Sequence, residues 1–357
     1  MSGREQLYIA EAFESNYIAP LGPFVTRFEE SIKSYTHSPY ALATITATAA
    51  LHLALRVLGI GKDDIVLASS FTFIGSISAI LYQNATPMFI DSDTKSWNLD
   101  PELLKVAISK APKKPKALIL THLYGQMADI ETIASICKAE NIYLIEDAAE
   151  SLGATCKTQQ SGTFGDFGVF SFNGNKLLTT SGGGMLVSHN EAWMQKAFFY
   201  ATQAKEDTPH YEHLEFGYNY RMSNILAAIG VAQMEVLDER VAQARKIFSW
   251  YQELLGEHDE ITFMPELENT LGNRWLTTLT LEKTDPAKVM EVLNKNQIES
   301  RPLWKPMHLQ PLFKDALHVS NVTSETLFAK GLCLPSGTQL SYEEVSHISS
   351  LIKKTLR

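Results

Sequence analysis

An acid at the end of an apolar strand, a lysine in a turn and a run of three glycines are the residues whose types and spacing could do chemistry together. The acid is Asp147, in IYLIEDAAES (Ile142 to Ser151). In open α/β sheets the carboxyl ends of strands face the ligand crevice, so Asp147 is poised to point into a site, where a buried carboxylate needs a cationic partner. The protonated ring nitrogen of pyridoxal phosphate is such a partner, and an Asp there sustains the positive ring that serves as electron sink. The alternative is an Asp that caps the following helix. The lysine is Lys176 in FSFNGNKLLTTSGGGML (Phe170 to Leu186), five residues after Ser171 and shortly before Gly182, Gly183 and Gly184. Alone, a lysine after Asn-Gly-Asn reads as a solvated turn residue. In this company it is a candidate Schiff-base lysine. The glycines permit close backbone approach, or mark a bulge or turn.

A second group accompanies these residues. TATAALHLAL (Thr46 to Leu55) opens a helix with small residues, and free amides at a helix start bind phosphate, so Ala47 and Thr48 are candidate phosphate ligands. A plain N-cap is the competing reading. In SSFTFIGS (Ser69 to Ser76) Phe73 offers a face to a flat ring, or belongs to the core.

The elements that must position these groups are those of an α/β fold. Between about residues 40 and 190, short β-branched runs alternate with helical patterns, the signature of a mainly parallel sheet. Strands are predicted at Asp64 to Ala68, Thr86 to Asp91, Ala117 to Leu120, Ile142 to Glu146, Phe167 to Phe172 and Gly184 to Ser188. Helices are predicted at Ala49 to Leu58, Asp129 to Ala139 and Glu191 to Thr202, followed by one long helix from about Ser223 to Leu255 that suits a connector. Beyond it lie strands at Ile261 to Met264, Leu276 to Leu281 and Leu332 to Leu334, and helices at Pro286 to Asn294 and Tyr342 to Lys354. The expected division is a large cofactor-binding α/β domain over 1–240 and a smaller α+β domain over 241–357.

Bulk properties narrow the function classes. The 357 residues carry a formal net charge of −9, which argues against a broad nucleic-acid or anionic-membrane surface. Cys137, Cys156 and Cys333 are too few and scattered for a disulfide framework or zinc site, and no metal is expected. No window approaches the roughly 20 apolar residues of a membrane span. No signal-peptide pattern opens the chain, so a cytoplasmic location is expected. A nicotinamide-dependent dehydrogenase needs a G-x-G-x-x-G turn after its first strand, and no such pattern occurs.

Read in order, NYIAPLGPFVTRFEE, TATAALHLAL, ASSFTF, THLYGQMADI, IEDAAES, FSFNGNK, GYNYRMSNILAAIG and RPLWKPMH resemble the sugar aminotransferases of the DegT/DnrJ/EryC1/StrS family nearly end to end. The resemblance implies an aspartate-aminotransferase-like fold (pyridoxal-phosphate fold type I), with pyridoxal 5'-phosphate as cofactor and pyridoxamine 5'-phosphate as its intermediate form. It implies Lys176 as Schiff-base lysine and proton shuttle, Asp147 on the ring nitrogen, Ala47, Thr48 and Ser171 at the phosphate, and Phe73 against the ring. Where the family commonly has Gln or His near the phenolic oxygen, this chain has Glu150. The family's GYNYR segment crosses a homodimer interface, which implies that Asn219 touches the other subunit's cofactor phosphate, with Arg221 nearby in the substrate site or in a structural ion pair. Arg301, Trp304, Lys305 and His308 correspond to a loop near the sugar nucleotide, or form a rigid proline-framed loop. The stretches FSFNGNK, TTSGGGML and HYEHLEFGYNYRMSN are similar to the bacillosamine branch of the family. That likeness implies UDP-2-acetamido-4-keto-2,4,6-trideoxyglucose as acceptor and L-glutamate as donor. Family members that dehydrate have His in place of the lysine, so transamination is favoured over dehydration and over a non-catalytic sensor of the same fold.

Overall fold

The computed structural model describes residues 1–356. Its elements in chain order are α1 (Glu5–Glu14), α2 (Pro23–Thr36), β1 (Tyr40–Thr44), α3 (Ala47–Val57), β2 (Ile65–Ser69), α4 (Ile74–Tyr82), β3 (Thr86–Ile90), α5 (Pro101–Lys110), β4 (Ala117–Thr121), α6 (Ile130–Glu140) and β5 (Tyr143–Asp147). Two short strands, β6 (Thr155–Cys156) and β7 (Gln159–Gln160), precede β8 (Phe167–Ser171), β9 (Gly184–Ser188), α7 (Glu191–Ala201), α8 (Asn224–Met234) and α9 (Leu237–Leu255). The remainder comprises β10 (Ile261–Phe263), β11 (Thr270–Leu271), β12 (Thr277–Leu281), α10 (Pro286–Lys295), β13 (Arg301–Pro302), β14 (Leu317–Val319), α11 (Thr323–Lys330), β15 (Gly331–Leu334) and α12 (Tyr342–Thr355).

Eight strands form one mixed sheet in the order β1-β9-β8-β5-β4-β2-β3-β14. Only β9 is reversed, pairing antiparallel with both β1 and β8. Alternate residues of a strand face opposite sides, and here both sides are covered. Val66 and Ala68 of β2 join the cluster containing Leu51 and Leu55 of α3, while Ile65 and Leu67 join the cluster containing Leu104 of α5 and Ile133 of α6. This is why these strands are nearly unbroken apolar runs. A smaller antiparallel sheet, β10-β12-β15-β13, packs through Leu279, Leu332 and Leu334 on Tyr251 of α9 and Val345 of α12. Side-chain caps fix where several helices begin: Thr46 accepts from Ala49 N, Asn190 from Trp193 N and Ser223 from Leu226 N, and Ser341 with Glu344 forms a capping box.

Two of the differences from the sequence expectation are set by packing between distant segments. The single long helix over 223–255 is two helices, broken at Val236, where φ and ψ are −123° and 12°. The break separates two packing demands: α8 buries Ala227, Ala228 and Val231 beside Phe28 of α2, while α9 carries Ile247 and Tyr251 into the smaller unit. The other is β14, which has no counterpart among the predicted strands. It lies beyond the expected division at residue 240, yet pairs in parallel with β3, Leu317 opposite Met88 and Val319 opposite Ile90.

Candidate active site

The carboxyl ends of β4, β5 and β8 and the starts of α3 and α4 converge on a cavity of about 1580 Å³. Its lining includes Ala47, Thr48, Phe73, Ser76, Asp147, Glu150, Ser171, Lys176, Trp275, Arg301, Trp304 and Lys305. Residues spread over more than half the chain thus meet in one place, as a crevice at the carboxyl edge of an α/β sheet requires.

Lys176 follows the turn after β8. Its Nζ lies 3.5 Å from Glu150 Oε1 and 3.7 Å from the centre of the Trp275 ring, so a carboxyl and a π-face hold the amine from two sides. Trp275 in turn donates from Nε1 to the Asn175 carbonyl at 2.7 Å, tethering the turn that carries the lysine.

Asp147 ends β5 and is buried. Ser76 Oγ donates to its Oδ2 at 2.5 Å and Ala149 N to its Oδ1 at 3.1 Å. Burial raises the Asp147 carboxyl above its ordinary range, opposed by these donors and by the Lys176 charge. Glu150 accepts from Tyr124 N at 2.6 Å. Burial pushes its carboxyl up to about 7 against the pull of Lys176. Two buried carboxyls therefore share one nearby ammonium, a site short of positive charge.

At the opposite end, the Thr46 hydroxyl takes the Ala49 amide. The Ala47 and Thr48 amides, in the first turn of α3, have no acceptor within the helix, and both residues line the cavity. Ser171, at the end of β8, lines the same region. Phe73 is 57% exposed at the start of α4, its ring 5.6 Å from that of Trp304. A planar, phosphorylated, cationic heterocycle fits this donor set: amides and hydroxyl for the phosphate, an aromatic face for the ring, a buried carboxylate for the ring nitrogen and a held lysine amine for the aldehyde.

Three residues expected at the site lie outside the cavity. Arg221 is buried against Glu29, donating from Nη1 to its carboxylate at 2.6 Å and to the Ala43 carbonyl at 3.1 Å, so its guanidinium is committed to joining α2 and β1. Within this chain Arg221 therefore occupies the structural ion pair that the sequence reading gave as its alternative. His308 is likewise engaged within the chain, as in the rigid-loop alternative: Ser70 Oγ lies 2.6 Å from its Nδ1, Glu325 lies 3.3 Å from its Nε2, and its ring stacks on His318. Asn219 is exposed, in an isolated bridge with Thr202. Arg301 reaches the cavity from the edge strand β13 but is paired with Glu299.

The sequence reading missed Trp275, Tyr124 and Ser76. Ser76 ends the quoted SSFTFIGS stretch, whose density of hydroxyls was a usable signal. Tyr124 has φ of +52°, donates from its amide to Glu150 and accepts at its hydroxyl from Trp304 N at 2.9 Å, linking the Glu150 carboxyl to the 301–305 segment. Tyr124 lies in the quoted THLYGQMADI stretch, a usable signal; no local pattern marks Trp275, which meets the lysine turn across 100 positions.

Fold and site together define a pyridoxal-phosphate-dependent aminotransferase. The sequence profile of the DegT/DnrJ/EryC1/StrS aminotransferase family matches residues 1–353. The chain belongs to this family and is a sugar aminotransferase. It is 51% identical over 360 residues to EpsN of Bacillus subtilis (strain 168), named as a pyridoxal phosphate-dependent aminotransferase, covering 99% of this chain and 93% of that protein. It is 34% identical over 355 residues to the GDP-perosamine synthase of Escherichia coli O157:H7, covering 99% and 96%. Spr1654 of Streptococcus pneumoniae, named as a sugar aminotransferase, superposes in its pyridoxal-phosphate form with a TM-score of 0.92 at 26% identity, covering 100% of this chain and 98% of that one. Its pyridoxamine-phosphate form gives 0.91 at 25%, covering 99% and 97%. The substrates accordingly include a sugar and an amino donor. No described helix is long and apolar enough to cross a membrane, and no described group of His, Cys, Asp and Glu is arranged to hold a metal.

Proposed function

We propose that the enzyme transfers the amino group of L-glutamate to C4 of a nucleotide-linked 4-keto-6-deoxy sugar, with UDP-2-acetamido-4-keto-2,4,6-trideoxyglucose as acceptor. It does so as a cytoplasmic homodimer serving bacillosamine-type glycan synthesis. The observation that carries the reading is Lys176 Nζ, held between Glu150 and Trp275 in a cavity that also contains Asp147. At about 1580 Å³ this cavity exceeds the roughly 300–1,000 Å³ that suffices for most small ligands, so cofactor and sugar nucleotide fit together.

In this reading the Ala47 and Thr48 amides and the Ser171 hydroxyl bind the cofactor phosphate, Phe73 covers the ring and Asp147 holds its nitrogen. The bound cofactor supplies an electron sink for the carbanion formed at the amino acid's α-carbon. Lys176 anchors the cofactor and, once released, carries the proton at Nζ, a general acid–base role of roughly 100- to 10,000-fold in rate. Glu150, 3.5 Å away, orients that amine. Lys305 and Arg301 meet the diphosphate, and Trp304 packs on a sugar or base. Asn219 serves the other subunit's cofactor. Tyr17, Ile18, Leu21, Tyr211, Leu214 and Phe216 are all exposed, apolar surface that supports a homodimer.

The test is mass spectrometry of products after supplying glutamate with a panel of UDP- and GDP-linked 4-keto and 3-keto sugars. Amination of the UDP-linked 4-keto sugar is expected. The similarity to a GDP-perosamine synthase makes a GDP-linked sugar the second reading, and turnover of that sugar alone, or a product aminated only at C3, overturns the first.

A further inference from the structure

Behind Asp147 lies a chain of hydroxyls. Ser76 Oγ donates to Asp147 Oδ2, Thr72 Oγ1 lies 3.1 Å from Ser76 Oγ, and Thr121 Oγ1 lies 2.8 Å from Thr72 Oγ1. All three are buried, one from α4, one from the loop before it and one from the last position of β4. A hydroxyl has a single proton to give, and an ionised carboxylate only accepts. Ser76 therefore spends its proton on Asp147, Thr72 must give its own to Ser76, and Thr121 must give its own to Thr72. The chain has one direction, with three O–H dipoles aligned towards the carboxylate and each bond polarising the next.

The groups facing Asp147 from neighbouring elements are Lys176, Glu150 and His122. The last adds no donor: its Nδ1 accepts from Ala128 N at 3.2 Å, so the proton sits on Nε2, which is directed at Glu146 at 2.8 Å. Asp147 and Glu150 thus compete for the charge of Lys176, and two buried carboxyls do not both ionise readily beside one ammonium. Their hydrogen bonds are unequal. Asp147 receives a polarised hydroxyl and the Ala149 amide, whereas Glu150 receives the Tyr124 amide and meets Lys176 only at 3.5 Å.

We propose that Ser76, backed by Thr72 and Thr121, is a positioning residue that makes Asp147 the ionised member of the Asp147–Glu150 pair and leaves the shared proton on Glu150. The inference rests on the reading that Asp147 serves the cofactor's ring nitrogen, which needs a carboxylate and not a carboxylic acid.

The test begins with the full-length, cofactor-free protein carrying ¹³C-labelled aspartate, in which infrared titration follows the protonated carboxyl band that Asp147→Asn removes. Ser76→Ala moves the Asp147 midpoint to higher pH. Thr72→Val and Thr121→Val, which keep side-chain volume, move it the same way by successively smaller amounts, and Thr72→Val carries the test if Ser76→Ala does not fold. In the holoenzyme, Ser76→Ala lowers kcat roughly 10- to 100-fold, the scale of one lost hydrogen bond to a charged group, while KM for the sugar nucleotide stays near wild type. An unmoved midpoint in the folded variants, or a larger shift from Thr121→Val than from Ser76→Ala, overturns the proposal. Failure of the underlying reading is separately visible: Asp147→Asn would transaminate at the wild-type rate whatever the titrations show.

Discussion

Gly184→Ala examines how closely the sheet approaches the phosphate cradle. Gly184 opens β9 between Thr44 and Ser171 in the sheet register. A Cβ built there stands 2.5 Å from the Thr46 carbonyl carbon and 2.7 Å from its oxygen and meets the Ala47 nitrogen, whereas ordinary contact starts at 3.4 Å. These are backbone atoms at the start of α3, with no flexible side chain to yield. The helix start must retreat by roughly 1 Å, a displacement that can cost on the order of 100-fold where geometry is tight. Amide–phosphate bonds of 2.7–3.2 Å do not survive such a move. Losing one charge-assisted bond costs about 1.5–3 kcal/mol, so losing both the Ala47 and Thr48 bonds weakens cofactor affinity by about 100- to 10,000-fold. Titration of the cofactor-free variant with pyridoxal phosphate, followed by absorbance, measures this directly. Gly61→Ala is the control, because a Cβ there meets nothing within 4 Å and the residue lies outside the cavity lining. Cofactor binding by Gly184→Ala as tight as wild type would refute the idea that the first turn of α3 holds the phosphate.

Lys176→Ala and Lys176→Arg abolish turnover while retaining some cofactor through the phosphate contacts; borohydride reduction of the loaded wild-type enzyme and peptide mass spectrometry should place the label on Lys176 alone. Glu150 gives a signed pH dependence. Its folded carboxyl titrates near 7 against 4.5 for a free one, so the native state binds a proton that the unfolded chain releases. Its stabilising contribution is full below about 4.5 and is lost as pH rises through about 7. Glu150→Gln removes that slope from the unfolding midpoint of the cofactor-free protein, recorded between those pH values. Arg221→Met leaves the partly buried Glu29 carboxylate to the Ala43 amide and should lower stability by about 1–3 kcal/mol in chemical denaturation. KM for the sugar nucleotide should not change in that variant.

The sheet was legible in the sequence because its strands bury both faces. Predicted strands at 64–68, 117–120 and 184–188 coincide with β2, β4 and β9 within a residue since an unbroken apolar run between turn residues leaves few alternatives. β14 escaped because its three residues, Leu317, His318 and Val319, carry no pattern of their own; partnership with β3 makes them a strand. The break at Val236 escaped for a related reason, as both helices keep a helical apolar rhythm and only the direction of their separate packing reveals the turn. At the site, Lys176, Asp147 and Ser171 were marked by strand ends and neighbouring glycines. Arg221 and His308 were each open to two readings, because a nitrogen-bearing side chain in a loop looks the same in sequence whether a ligand or a carboxylate of the same chain awaits it.

The strand pairing at the far edge of the sheet also sets an order of assembly. Ser320 reaches Asp91 across 229 positions, so during synthesis β3 presents an open ladder of amides and carbonyls until the segment around residue 319 has left the ribosome. A nascent chain stalled before that point carries an exposed template for strand addition. Slower translation over the C-terminal third, and lost chaperone access to this rim, are therefore expected to lower soluble yield.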